Sequence, residues 1–147
     1  MKSKLFIVAF LFSAALASAQ EYAVITTIES IIPAGLGRSR MISNKEDLNT
    51  ADFTKTRTDG KTSDLNEVKR EDLKIDNFEE TKMLNFYSAT GINFQNVASN
   101  DALISAKMNE MSKAGWTLAF VTAGVESNAG GTDNEGIFIT RYIFKRG

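Results

Sequence analysis

The chain has 147 residues, with 17 basic and 18 acidic side chains, a formal net charge of −1, and neither cysteine nor histidine. Without cysteine there is no disulfide, thiolate metal site, cysteine nucleophile or lipid-modified N-terminal cysteine. Without histidine the chain also lacks the side chain that most readily exchanges protons near neutral pH, and a nearly balanced charge gives no footing for nucleic acid.

The N-terminus has the three parts of a secretory leader. Lys2 and Lys4 form a positive head, Leu5 to Leu16 is apolar except for Ser13, and Ala17-Ser18-Ala19 supplies a small-x-small site. The apolar run is shorter than the ~20 residues a spanning helix needs. The expected organisation is therefore a signal peptide over residues 1–19, cut between Ala19 and Gln20, and a single α+β domain over residues 20–147. Cleavage leaves 128 residues with 15 basic and 18 acidic side chains, long enough to build a core without disulfides. No later apolar run is long enough to cross a bilayer, so no membrane anchor is expected after cleavage. The expected location is the periplasm or the exterior, and the mature protein is not a lipoprotein. Gln20, once freed, is expected to cyclise to a pyroglutamyl residue.

Tyr22 to Ile32 predicts a first strand, with Tyr22, Val24, Thr26 and Ile28 on one face and Ala23, Ile25 and Thr27 on the other. Pro33-Ala34-Gly35-Leu36-Gly37 ends it, and Arg38 to Ile42 reads as a returning strand. Residues 43–82 hold 11 acidic and 8 basic side chains but only eight apolar ones, a density that predicts a solvated insertion. Within it, Thr58-Asp59-Gly60-Lys61 carries an Asp-Gly turn pair between polar flanks. Met83 to Tyr87 reads as a third strand, although Asp76 and Glu79 also have the spacing of a helix-capping pair.

The clearest element is a helix over about 100–114. Ser99 or Asn100 is its candidate cap, and Leu103, Ile104, Met108 and Met111 form its apolar stripe. Lys107, Asn109, Glu110 and Lys113 are expected to face away. Gly115 stands where a left-handed terminating residue belongs. Trp116 to Thr122 predicts a strand with Trp116, Leu118 and Phe120 on one face. Residues 127–136 form a glycine-rich turn, and Ile137 to Lys145 is a last strand, apolar on both faces, that should pair with its predecessor. The fold class expected is α+β: an antiparallel sheet of about four strands, one main helix packed on one face, and a charged insertion.

Three features carry a resemblance: Glu21-Tyr22-Ala23-Val24 in an opening strand, Gly115-Trp116 ending the helix, and Tyr142-Ile143-Phe144-Lys145-Arg146 closing the last strand. In this order they resemble a small bacterial family of unknown function. The leader, with Gln20 directly after its cleavage site, resembles those of exported proteins of the Bacteroidetes group. The family resemblance implies an α+β fold with a helix on an antiparallel sheet, and it implies no activity.

Gly35, Gly37, Arg38 and Arg40 are the strongest candidate site. Glycine-flanked N–H groups can cup an anion, and two arginines one residue apart on a strand point the same way. The segment fails both the dinucleotide fingerprint, where Arg40 replaces a small residue, and the nucleophile elbow, where Met41 replaces glycine. The plainer reading is a turn whose arginines pair with nearby carboxylates. Asn128, Asp133, Asn134 and Glu135 offer oxygen donors, but their spacing matches no calcium loop, so no metal or cofactor is expected. Trp116, Phe120, Tyr142 and Phe144 could line an aromatic pocket, yet alternating aromatics beside an amphipathic helix more often form core. With no catalytic motif, the expected function is that of a non-enzymatic domain binding a protein or small ligand. The alternatives are a homo-oligomeric structural protein of the envelope and a weak hydrolase working through carboxylates.

Overall fold

The computed structural model describes residues 19–31, 39–61, 63–126 and 136–147. Among these residues, β1 (Glu21–Ser30), β2 (Arg40–Asn44), β3 (Phe78–Lys82), β6 (Thr117–Val125) and β7 (Ile137–Arg146) form one antiparallel sheet in the order β3-β2-β1-β7-β6. The short strands β4 (Tyr87–Ser88) and β5 (Gly91–Ile92) pair separately as a hairpin. One helix, α1 (Phe94–Lys113), links this hairpin to β6. The α+β class with one main helix is as expected, but the sheet has five strands rather than about four.

The third strand is not at Met83 to Tyr87, where only Tyr87 enters the separate hairpin; it is β3, which lies inside the charged stretch 43–82. Glu79, Glu80 and Lys82 are tolerated there because β3 is an edge strand, paired only with β2. Asp76 and Glu79 cap no helix. Glu46 accepts the backbone N–H of Asn77 at 2.9 Å and that of Asp76 at 3.3 Å, while Glu79 lies in the β2–β3 ladder opposite Ser43. Between Lys45 and Asn77 the chain makes two short 3-10 turns, Thr50–Phe53 and Asp64–Glu67, neither with a buried residue. Gly60 takes φ +72° in the expected Asp-Gly bend, where Asp59 accepts the Lys61 N–H.

The helix begins six residues before its expected start. Asn93 caps it, its Oδ1 accepting the N–H groups of Gln95 and Asn96, so Asn100 is left inside the helix as a packing residue. The C-terminus is as predicted: Gly115 has φ +84°, Trp116 N–H donates to Met111 O, and Gly115 N–H donates to Ser112 O. Trp116 and Met111 then meet in the core. That core joins Ile25, Met41, Met83, Met111 and Phe144, with Leu103, Ile104, Met108, Trp116 and Tyr142 packed around it.

Lys107 does not face away. Its side chain is only 14% exposed, and its ammonium reaches Glu110 at 2.7 Å and Glu79 at 3.5 Å. The aliphatic stem lies beside Ile25 and Met41, so a long cationic side chain covers apolar core while its head pairs with the two carboxylates. Glu79 also meets Lys45 at 3.1 Å; the Lys45 hydrogen bond and charge, with Lys107, hold its carboxyl below the ordinary range.

Candidate interaction surface

Ladder registers define both faces of the sheet. The helix covers the face bearing Ala23, Ile25 and Thr27 of β1, Met41 and Ser43 of β2, and Tyr142 and Phe144 of β7. The opposite face carries Val24 and Ile28 of β1, Ile42 of β2, Ile139 and Ile143 of β7, and Phe120 of β6. Arg40, Lys82, Arg141 and Lys145 lie among these apolar groups, with Glu80 as the acidic member. Ile137, Ile139 and Ile143 make β7 apolar on this side too, as the sequence suggests.

Strand β6 is exposed along all nine residues, Thr117–Val125, and none of them is charged. Leu118, Val121 and Val125 belong by register to the helix-covered face, yet all three remain exposed. The expectation that Trp116, Leu118 and Phe120 share a face fails at a β-bulge. Leu118 pairs with Phe144 and Phe120 with Ile143, so Ala119 is an extra residue that turns Phe120 to the opposite face. Phe120 is 61% exposed there.

The bulge also breaks up the proposed aromatic pocket. Phe144 is buried, Tyr142 is half-buried against the core, and the Arg146 guanidinium lies 4.4 Å from the Trp116 ring centroid. These three and Phe120 line no common site. A groove of about 820 Å³ does run past Trp116, Lys107 and Glu110 toward Glu21. Its cations are already engaged: Arg146 Nε donates to Glu21 at 3.0 Å, Lys107 meets Glu110, and Lys45 meets Glu79.

Of the candidate anion site, Gly35, Gly37 and Arg38 lie outside the described residues. Arg40 is half-buried at the start of β2, where its Nη1 donates to Ser39 O at 2.8 Å. Asn128, Asp133, Asn134 and Glu135 also lie outside the described residues, as do residues 1–18 of the expected leader. Ala19 and Gln20 are exposed immediately before β1.

The sequence gives no warning of a polar seam joining helix to sheet. Asn100 is 1% exposed; its Oδ1 accepts Leu84 N–H at 2.9 Å, and its Nδ2 donates to Leu84 O at 2.8 Å and Glu29 Oε1 at 3.0 Å. Ser39 Oγ accepts Ser30 N–H and donates to Asn85 Oδ1. Burial raises Glu29 above the ordinary carboxyl range, opposed by the Asn100 hydrogen bond and reinforced by the negative charge of Asp101. Burial likewise raises Tyr142, opposed by the Thr27 hydroxyl and reinforced by Glu29 and Asp101. Thr27 Oγ1 is enclosed without a well-formed hydrogen bond, so its contact with Tyr142 is loose. Neither Glu29 nor Asp101 lines the groove, and among the described residues no three acidic groups gather as a metal would require.

Among the described residues, no helix is long and apolar enough to cross a membrane. No family model matches the chain, and no curated protein and no solved structure matches it significantly.

Proposed function

We propose that this is an exported, non-enzymatic domain that works by binding, through the sheet surface its helix leaves uncovered. One observation carries the reading: β6 is a nine-residue uncharged strand, exposed on both faces and, among the described residues, unpaired along one edge. A long apolar edge is a liability that proteins usually blunt with charge or proline, or cover with another element. Here a single bulge interrupts it. Exposed apolar residues also stand on the neighbouring face, where Phe120, Val24 and Phe78 lie in one row of the sheet with Ile143 and Asn44 between them. Exposed apolar groups gathered in this way mark contact sites.

The leader supports export, and the start of β1 at Glu21 fits a cut after Ala19, because that cut leaves the strand whole. The carboxylate reading has less support. Glu29, the half-buried carboxyl, is engaged by Asn100 at the helix–sheet seam rather than standing in the groove. The test is a pull-down from envelope and secreted fractions with the exported protein as bait, beside thermal-shift screening of small ligands. A partner or ligand lost on placing lysine at Val121, an exposed β6 residue, is the expected result. Finding neither partner, ligand nor self-association would reject the reading.

A further inference from the structure

We infer that the free edge of β6 pairs with β6 of a second copy of this chain, antiparallel about a two-fold axis at Thr122, seating each Phe120 against the partner's Gly124. The inference rests on the binding role proposed above and names the partner.

Backbone direction comes first. Glu126 N–H donates inward to Ile137 O at 2.9 Å. Beyond the bulge the strand alternates regularly, so Gly124, Thr122 and Phe120 also bond inward to β7. Val121, Ala123 and Val125 therefore turn their N–H and C=O groups to the open edge. Centring two copies on Thr122 sets Val121 opposite the partner's Ala123, and Ala123 opposite the partner's Val121. Both are hydrogen-bonded pairs, using the groups the monomer leaves at its edge.

Side chains favour the same register. Thr122 meets its own symmetry mate, and Phe120 meets Gly124, both in non-hydrogen-bonded pairs where side chains approach most closely. A Cβ built on Gly124 has no heavy atom within 4 Å, and a shallow concavity of about 430 Å³ opens there beside Thr122, Ile139 and Arg141. An exposed phenyl ring on one copy thus faces an unfilled glycine on the other. Cross-strand aromatic cover of a glycine is a known way to stabilise a weak sheet position. The contact repeats by symmetry, residue 120 to 124 and 124 to 120, as a two-fold interface requires.

Charge decides against stacking the sheets face to face. That arrangement would oppose Arg40, Lys82, Arg141 and Lys145, four cations offset by Glu80 and Glu126, against the same set. Residues 117–125 contain no charge, so edge pairing sets no like charges opposite one another.

Sedimentation velocity of the exported protein, over a series reaching about 1 mM, reads the association constant directly. Gly124→Val adds bulk at a position where a Cβ has open space, and Phe120→Ala removes a ring that is already exposed. The expected result is a wild-type dimer, with each variant weakened about tenfold or more and its dilute-solution melting temperature unchanged or, for G124V, higher. A dimer that survives both substitutions would overturn the inference, because it would use another surface. A wild-type monomer across the whole series would overturn it too. In that case, a partner still captured through β6 would leave the binding role standing, and a blank capture would remove both.

Discussion

At the scale of single residues, the seam beneath the helix carries more than its size suggests. Asn100 satisfies both the N–H and the C=O of Leu84, in the stretch between β3 and β4 that belongs to no ladder. Asn100→Ala leaves two part-buried backbone groups without partners and is expected to lower stability by about 2–4 kcal/mol, read from the urea midpoint. A loss below about 0.5 kcal/mol would mean that water replaces the side chain without difficulty. Glu29 gives the opposite sign. A carboxyl raised in the folded state holds its proton more tightly there than in the unfolded chain. Its contribution favours folding at low pH and is lost as the pH climbs through the raised value. Glu29→Gln keeps an acceptor for Asn100 and removes the charge. Its melting temperature is expected to exceed wild type at pH 7, with the gap closing below about pH 4, where Glu29 is protonated in both states. An equal gap at both pH values would show that shape, not ionisation, produces the difference.

At the scale of elements, the end of α1 offers a direct measurement. Gly115 has φ +84° with open space around its missing Cβ, so Gly115→Ala meets no clash and isolates the backbone cost. The expected loss is about 1 kcal/mol, seen as a lower melting temperature with an unchanged dichroism spectrum. That terminus was legible in the sequence because glycine after an apolar stripe reports a local requirement. So were β1 and β7, marked by runs of β-branched and aromatic residues, and the direct pairing of β6 with β7. The start of the helix was not legible. Ser99, Asn100 and Asn93 are all acceptable caps, and tertiary packing chose among them by burying Asn100. Strand β3 was hidden for a related reason: an edge strand needs few apolar residues, and Glu79 is there to pair with Lys45 and Lys107. The bulge at Ala119 leaves no sequence mark at all, since alanine suits either side of it. Yet that residue sends Phe120 to the open face, where the proposed dimer contact lies. Of the candidate site residues, Arg40 is in the described structure, and its contact with the Ser39 carbonyl is local. The exposed edge had a readable signal in the missing charge of residues 117–125.

At the scale of the whole molecule, the position of β1 constrains where the proposed leader can be cut. β1 is the middle strand of the sheet, paired along its length with β7 and over Ile25 to Ile28 with β2. Its first residue, Glu21, is joined to Arg146 at the far end of β7, and the Tyr22 hydroxyl donates to Gln20. A cut after Ala19 therefore spares every rung, whereas a cut before Thr26 removes the five rungs Glu21 to Ile25 make with β7 and the Ile25 rung with β2. A chain beginning at Gln20 is expected to unfold cooperatively in urea, and one beginning at Thr26 is expected to have no folded baseline. The second loses Ile25 from the core and the first rungs against β7, several kcal/mol in a domain whose whole stability is about 5–15 kcal/mol. Equal cooperativity in both chains would mean that β1 is dispensable. It would also remove the structural reason for placing the boundary between Ala19 and Gln20. Intact mass of the protein recovered from envelope and secreted fractions then reads the boundary itself: a terminus at Gln20, cyclised with loss of ammonia, is expected, and one between Tyr22 and Thr26, which removes rungs of β1, would contradict its central place.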